Sequence, residues 1–182
     1  MGNTSSLLIN GNNFLKKSNF SLESDNDQET KTFKKFCLNF QDMQQLLKYY
    51  QQHAQIPTTS PNSHEVGLLI NTLPIDEQKC ILPYTMSPEK ETEYINALIA
   101  EKKTDVSKII VYGKHCNDFS VLKKQAQLQS LGFTNVFVYL GGMFEWLLLQ
   151  DFFSTALFPT TTIEKDLLVF MPASQFSKSS PF

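Results

Sequence analysis

Apolar positions along the chain follow two regimes that change near Glu65. Over the opening stretch no helical or strand period is sustained, and Asn, Ser, Asp and Lys dominate. Residues 1–35 are therefore expected to form a disordered polar arm. Met43, Leu46, Leu47 and Tyr50 then recur at i, i+3, i+4 and i+7. That is one apolar stripe with Gln and Lys elsewhere, and it predicts an amphipathic helix within residues 36–55. Pro57 and Pro61 exclude regular structure from 56–64, which reads as a linker. The helix either packs on the domain C-terminal to it or serves as a partner-binding element.

Beyond Glu65, short apolar runs alternate with helical stripes. Val66 to Asn71 has the bounded apolar character of a buried parallel strand, and Cys80-Ile81-Leu82 is a weaker strand candidate before Pro83. Ser87-Pro88 supplies an N-cap and a proline at the first helical position. Tyr94, Ile95, Leu98 and Ile99 form the expected inward face, and Lys102 and Lys103 suit the C-terminal end of the dipole. Ile109 to Tyr112 is the clearest strand. The next helix is expected from about Asp118 to Leu131, burying Phe119, Leu122 and Ala126, and Gly132 ends it. Asn135 to Tyr139 comes next as another strand, then a sharp Gly141-Gly142 turn. Met143 to Leu149 is apolar nearly all round, which implies a buried helix. Strands separated by helices pair in parallel through right-handed crossovers, so residues 65–157 are expected to form a three-layer α/β sandwich. Residues 158–182 read as a C-terminal extension with one strand or helix at Asp166 to Phe170.

Composition narrows the function. The 182 residues are 41% hydrophobic and include 15 Phe, enough for one domain with a sizeable core. A net charge of −2 disfavours nucleic-acid binding. No apolar run approaches the roughly 20 residues of a membrane span, and no leader pattern opens the chain. Cys37, Cys80 and Cys116 are odd in number and form no CxxC pair, which points to a reducing, cytoplasmic setting without a disulfide framework. Cys37 and Cys80 stand in apolar contexts and read as small buried hydrophobes. His53, His64 and His115 lack a metal-ligand spacing, so neither a metal nor a cofactor is expected. All sixteen cationic residues are lysines. Any chemistry that relies on a bidentate guanidinium clamp must do without it.

The start, Met-Gly-Asn-Thr-Ser-Ser, fits the N-myristoylation pattern, with Gly2 as acceptor and Ser6 at the small hydroxyl position. One acyl chain binds membranes only marginally, at about 10⁴ M⁻¹. The short pairs Lys16-Lys17 and Lys34-Lys35 add little, so weak peripheral attachment to a cytoplasmic membrane face is expected.

The segment from Ile109-Ile110-Val111-Tyr112 through Leu131-Gly132-Phe133-Thr134-Asn135-Val136 to Gly141-Gly142-Met143-Phe144-Glu145-Trp146 resembles the second half of a rhodanese (sulfurtransferase) domain. The Gly-Phe-x-Asn-Val and Gly-Gly-x-x-x-Trp elements carry the resemblance, which spans about residues 65–150 and weakens upstream of Ile109. It implies a rhodanese-like fold with a short central parallel sheet, preceded by the arm and one helix. It also implies that the loop Gly113-Lys114-His115-Cys116-Asn117-Asp118 stands where the family has its anion-cradling loop. There the loop opens with a nucleophilic cysteine that carries persulfide sulfur.

Two alignments compete. Anchored on the strand, the nucleophile position is Gly113, which has no side chain. Anchored on Gly132, Cys116 comes close to the family spacing. The strand anchor is favoured because the junction after Tyr112 is rigid. His115-Cys116 also invites comparison with a His-Cys-x5-Arg phosphatase loop, but the sixth residue after Cys116 is Leu122. The expected function is thus a catalytically inactive rhodanese-like module that binds a protein partner. Lys114 and His115 are then solvated donors for that partner, and Asp118 caps the amides that an anion would use. The alternative is an atypical thiosulfate sulfurtransferase using Cys116.

Overall fold

A computed structural model of the chain describes residues 35–53, 67–105 and 107–174. Gly2, nearly all of the polar arm, the 56–64 linker and the end of the tail lie outside the described residues. The described elements are β1 (Cys37–Leu38), α1 (Phe40–His53), β2 (Leu68–Asn71), α2 (Pro88–Ala100), β3 (Lys108–Tyr112), α3 (Ser120–Ser130), β4 (Asn135–Tyr139) and α4 (Gly142–Phe152). Two 3₁₀ turns, Ile75–Glu77 and Leu167–Phe170, complete them.

The four strands form one parallel sheet in the order β1-β4-β3-β2, with Ile110 opposite both Leu69 and Phe137. Alternation along the strands sends side chains to two separate cores. Leu69, Ile110, Tyr112 and Tyr139 face α1, α4 and the C-terminal segment. Leu68, Ile70, Ile109, Val111, Val136 and Val138 face α2 and α3. Helices cover both faces, as the three-layer expectation required.

The stripe Met43, Leu47 and Tyr50 lies buried in the first of these cores, so α1 packs on the sheet. The chain just before it adds the edge strand β1, which two residues without alternation could not announce. Asn39 caps α1, its Oδ1 accepting from Gln41 N and Asp42 N.

The C-terminal segment belongs to the same core. Trp146 is fully buried, its indole N–H donates to Pro159 O at 3.0 Å, and its ring meets Phe158 edge-on at 4.9 Å. Phe158 and Phe170 are buried beside it.

Three sequence expectations are corrected. Cys80 to Leu82 is not a strand: Ile81 exchanges hydrogen bonds with Thr161, through Thr161 N to Ile81 O and Ile81 N to Thr161 Oγ1. These bonds hold the segment against the C-terminal strap instead of the sheet. The buried face of α3 is Val121, Gln125 and Leu128, whereas Ala126 is exposed, Leu122 is half-buried and Phe119 is 76% exposed. Gln125 hides in the core because its amide donates to Val136 O, a partner that no hydropathy pattern can announce. Ile99 is exposed as well, which leaves Ile95 and Leu98 as the buried residues of α2.

Candidate functional site

All strands run the same way, so the loops after β2, β3 and β4 meet at the carboxyl edge of the sheet, where α/β folds build their sites. The loop after β3, Gly113 to Phe119, lies at the centre of that edge. Its position is fixed from the β4 side by the start of α4. Met143 N donates to Gly113 O at 3.0 Å, and Phe144 N donates to Lys114 O at 2.9 Å. Two first-turn amides of α4 are thereby satisfied by loop carbonyls. The approach is close enough that a Cβ on Gly142, which has φ +64°, would lie 2.6 Å from Gly113 O and 2.8 Å from His115 N. Only glycine fits there.

Asp118 dominates the interior of the loop. Its Oδ2 accepts from Lys114 N at 2.9 Å, and its Oδ1 accepts from Ser120 N at 3.0 Å and from the Ser120 hydroxyl. Ser120 Oγ also sits 2.7 Å from Thr72 Oγ1, which joins the loop after β2 to the start of α3. A Cβ placed on Gly113 would lie 2.5 Å from Asp118 Oδ2, 2.6 Å from Val121 Cγ2 and 2.9 Å from Thr72 Oγ1. The space that a nucleophilic side chain would need at the strand end is occupied, and a carboxylate occupies part of it.

Burial pushes the Asp118 carboxyl up, but hydrogen bonds from Lys114 N and from Ser120, with His115 nearby, outweigh it and leave the group below its usual pKa. The folded value is depressed, so this contribution to stability is present above the unfolded pKa and is lost as pH falls through the folded one. Asp118→Asn is expected to remove part of the acid-induced loss of stability below pH 4. Urea denaturation of both proteins between pH 2.5 and 6 checks it, and parallel curves would show that the carboxylate contributes nothing.

The remaining loop residues are arranged differently from the sequence expectation. Lys114 is not a solvated donor: its Nζ pairs with Glu77 Oε2 at 2.7 Å and lies 6.0 Å from the Phe170 ring centroid. The 3₁₀ turn after β2 carries Glu77 to it. His115 is half-buried, and its Nδ1 is buried with no hydrogen-bond partner among the described residues. Cys116 and Asn117 are exposed, with Cys116 Sγ 3.6 Å from Asn117 Oδ1. Cys80 is buried as expected, donating to Thr162 O, and burial pushes its thiol up; Cys37 is only half-buried.

Sequence reasoning brought together the loop and the capping role of Asp118. It missed Thr72, Glu77 and Ser120, the partners that hold the loop. Ser120 had a signal, since an Asp two residues before a Ser at a helix start is a capping pattern. Glu77 had none, because its pairing with Lys114 bridges two separate loops.

Phe119 and Ile75 flank this edge at 76% and 70% exposure. The Thr72–Ser120 contact brings their segments side by side. Among the described residues, no helix is long and apolar enough to cross a membrane.

None of the curated proteins matches the sequence significantly. Among solved structures, the chain is similar to the BH2092 protein of Bacillus halodurans, at 15% identity and TM-score 0.44, covering 69% of this chain and 83% of that one. It is also similar to an uncharacterized protein from Saccharomyces cerevisiae, at 17% identity and TM-score 0.42, covering 63% of this chain and 92% of that one. A family model described as the rhodanese-like domain matches residues 40–149, a span that takes in α1 as well as the motif-bearing second half. With more than half of its length inside that match and a helix-covered parallel sheet to go with it, this chain belongs to the rhodanese-like domain family.

Proposed function

We propose that this chain is a catalytically silent rhodanese-like module that binds a protein partner through the loop edge of its sheet. The observation that carries this reading is the Asp118 carboxylate. It takes the Lys114 and Ser120 amides, and it lies where a side chain at Gly113 would project. A persulfide cradle works by concentrating inward N–H donors and positive charge on a thiolate. Here two such donors are spent on an internal anion, the loop's own ammonium on Lys114 is paired with Glu77, and no arginine exists to replace it. Exposed Phe119 and Ile75 beside this edge are suited to a protein surface, since large apolar side chains anchor protein interfaces.

The purified protein is expected to show no thiosulfate-to-cyanide sulfur transfer above background. Turnover that disappears in Cys116→Ser would replace this reading with the sulfurtransferase one. One observation favours that alternative: the Cys116 thiol is exposed on the loop, open to a sulfur donor.

Myristate on Gly2 would hold the module weakly on a cytoplasmic membrane face, the partner supplying the second contact that one acyl chain requires. Expression in a eukaryotic host is expected to add one myristoyl mass at Gly2. An intact mass showing free or acetylated glycine there removes the membrane tether from the proposal.

A further inference from the structure

The end of α4 exposes an apolar surface that the loop edge does not use. Phe152 and Phe153 are 81% and 57% exposed, with ring centroids 5.1 Å apart. Leu148 lies one turn before Phe152 on the same helix face, and Leu157 comes shortly after; both are about half exposed. The two phenyl rings alone present on the order of 300 Å². With the leucines the patch reaches about 400 Å², the size at which exposed apolar surface marks a binding site.

A groove of about 260 Å³ adjoins this knob through residues 155–157. Leu47, Pro83, Tyr84 and Pro159 supply its apolar walls. It is preformed: Gln44 Nε2 donates to Leu157 O at 2.9 Å, tying α1 to the segment behind the knob. Tyr84 has a backbone φ of +65°, a left-handed conformation that a bulky residue adopts only when its surroundings hold it, and its ring lies 5.5 Å from that of Tyr50.

We infer that this face pairs with a second copy of the chain, the Phe152–Phe153 knob of each protomer entering the groove of the other. Knob and groove stand side by side on one protomer, which is the arrangement a two-fold axis converts into two identical contacts. The charges are complementary as well. Lys48 is the charged residue of the groove, Asp151 accompanies the knob, and neither forms an ion pair among the described residues. Across the two-fold, Asp151 of one protomer meets Lys48 of its partner, twice. Were a membrane the occupant, Asp151 would be driven toward lipid beside the phenyl rings, against its solvation. The knob and its near groove walls fall short of the roughly 800 Å² per partner of a standard interface, which places this contact among the small, reversible ones.

Sedimentation equilibrium of the full chain tests this independently of the loop reading. The wild type is expected to dimerise reversibly. Phe152→Ser is expected to raise the dissociation constant at least about tenfold without changing the circular dichroism spectrum. Lys48→Asp and Asp151→Lys, each alone, place like charges opposite one another and weaken the dimer. Together they are expected to restore it to within about threefold of wild type. A chain that stays monomeric at several hundred micromolar overturns the inference, as does a dimer indifferent to Phe152→Ser or a charge-swapped pair that does not recover. Flotation of a monomeric wild type on phosphatidylcholine vesicles, lost in Phe152→Ser, would assign the patch to lipid instead.

Discussion

Gly113→Cys is expected to give a protein that still transfers no sulfur and is less stable than the wild type by about 1–3 kcal/mol, the usual cost of overpacking. The substitution restores the residue type that rhodanese resemblance implies at this position, but its surroundings have closed over it. The new Cβ would lie 2.5 Å from Asp118 Oδ2 and 2.6 Å from Val121 Cγ2. Val121 is a buried core residue, and Asp118 is fastened by Lys114 N and Ser120, so neither yields cheaply. A thiol in that place would also face a carboxylate, which raises its pKa and suppresses the thiolate that chemistry requires.

Adding Asp118→Gly to Gly113→Cys removes the clash with the carboxylate, and part of the lost stability should return. The two sites are in contact, so their effects are not additive. Urea denaturation of the single and double variants, with a sulfur-transfer assay on each, reads both quantities. Wild-type stability together with turnover in the single variant would show that the loop adapts freely and that Asp118 blocks nothing.

Trp146→Ala is expected to have the largest effect on stability, about 3–5 kcal/mol, the usual range for emptying a buried aromatic site. The indole is fully buried between Tyr139 on the sheet and Phe158 on the C-terminal segment. Its loss leaves a cavity and removes the N–H that satisfies Pro159 O. That is a large fraction of the roughly 5–15 kcal/mol by which a domain is stable. Trp146→Phe keeps part of the packing and loses the hydrogen bond, so its cost should be clearly smaller. Circular dichroism follows both unfolding curves, since the single tryptophan is the residue removed. A loss below about 1 kcal/mol in the alanine variant would mean that the tail does not close over α4.

The alternation of apolar runs and helical stripes determined the layered α/β class, the parallel strands β2, β3 and β4, and the buried stripe of α1. Each of these comes from local periodicity, which survives translation into any tertiary setting. The Gly-Phe-x-Asn-Val and Gly-Gly-x-x-x-Trp elements determined the family for the same reason, since their glycines and tryptophan answer to backbone turns and one buried site. Sequence also placed Asp118 at a helix start with the chemistry of a cap.

Only the tertiary structure decided what these residues face. Periodicity put Phe119 inside, but Asp118 and Ser120 start the helix after it and leave it at the surface, while Gln125 is taken into the core by the Val136 carbonyl. Lys114 read as a solvated cation until the turn after β2 brought Glu77 within 2.7 Å of it. The two-residue strand β1 exists because β4 offers it an edge, with Val138 N donating to Phe36 O. Extension and strap read alike in sequence, and Phe158 becomes core only because Trp146 stands across from it. Glu77 and strand β4 lie far along the chain from the residues they hold, and even the nearer partners sit on a different element, so a local pattern carries no information about a contact made by folding.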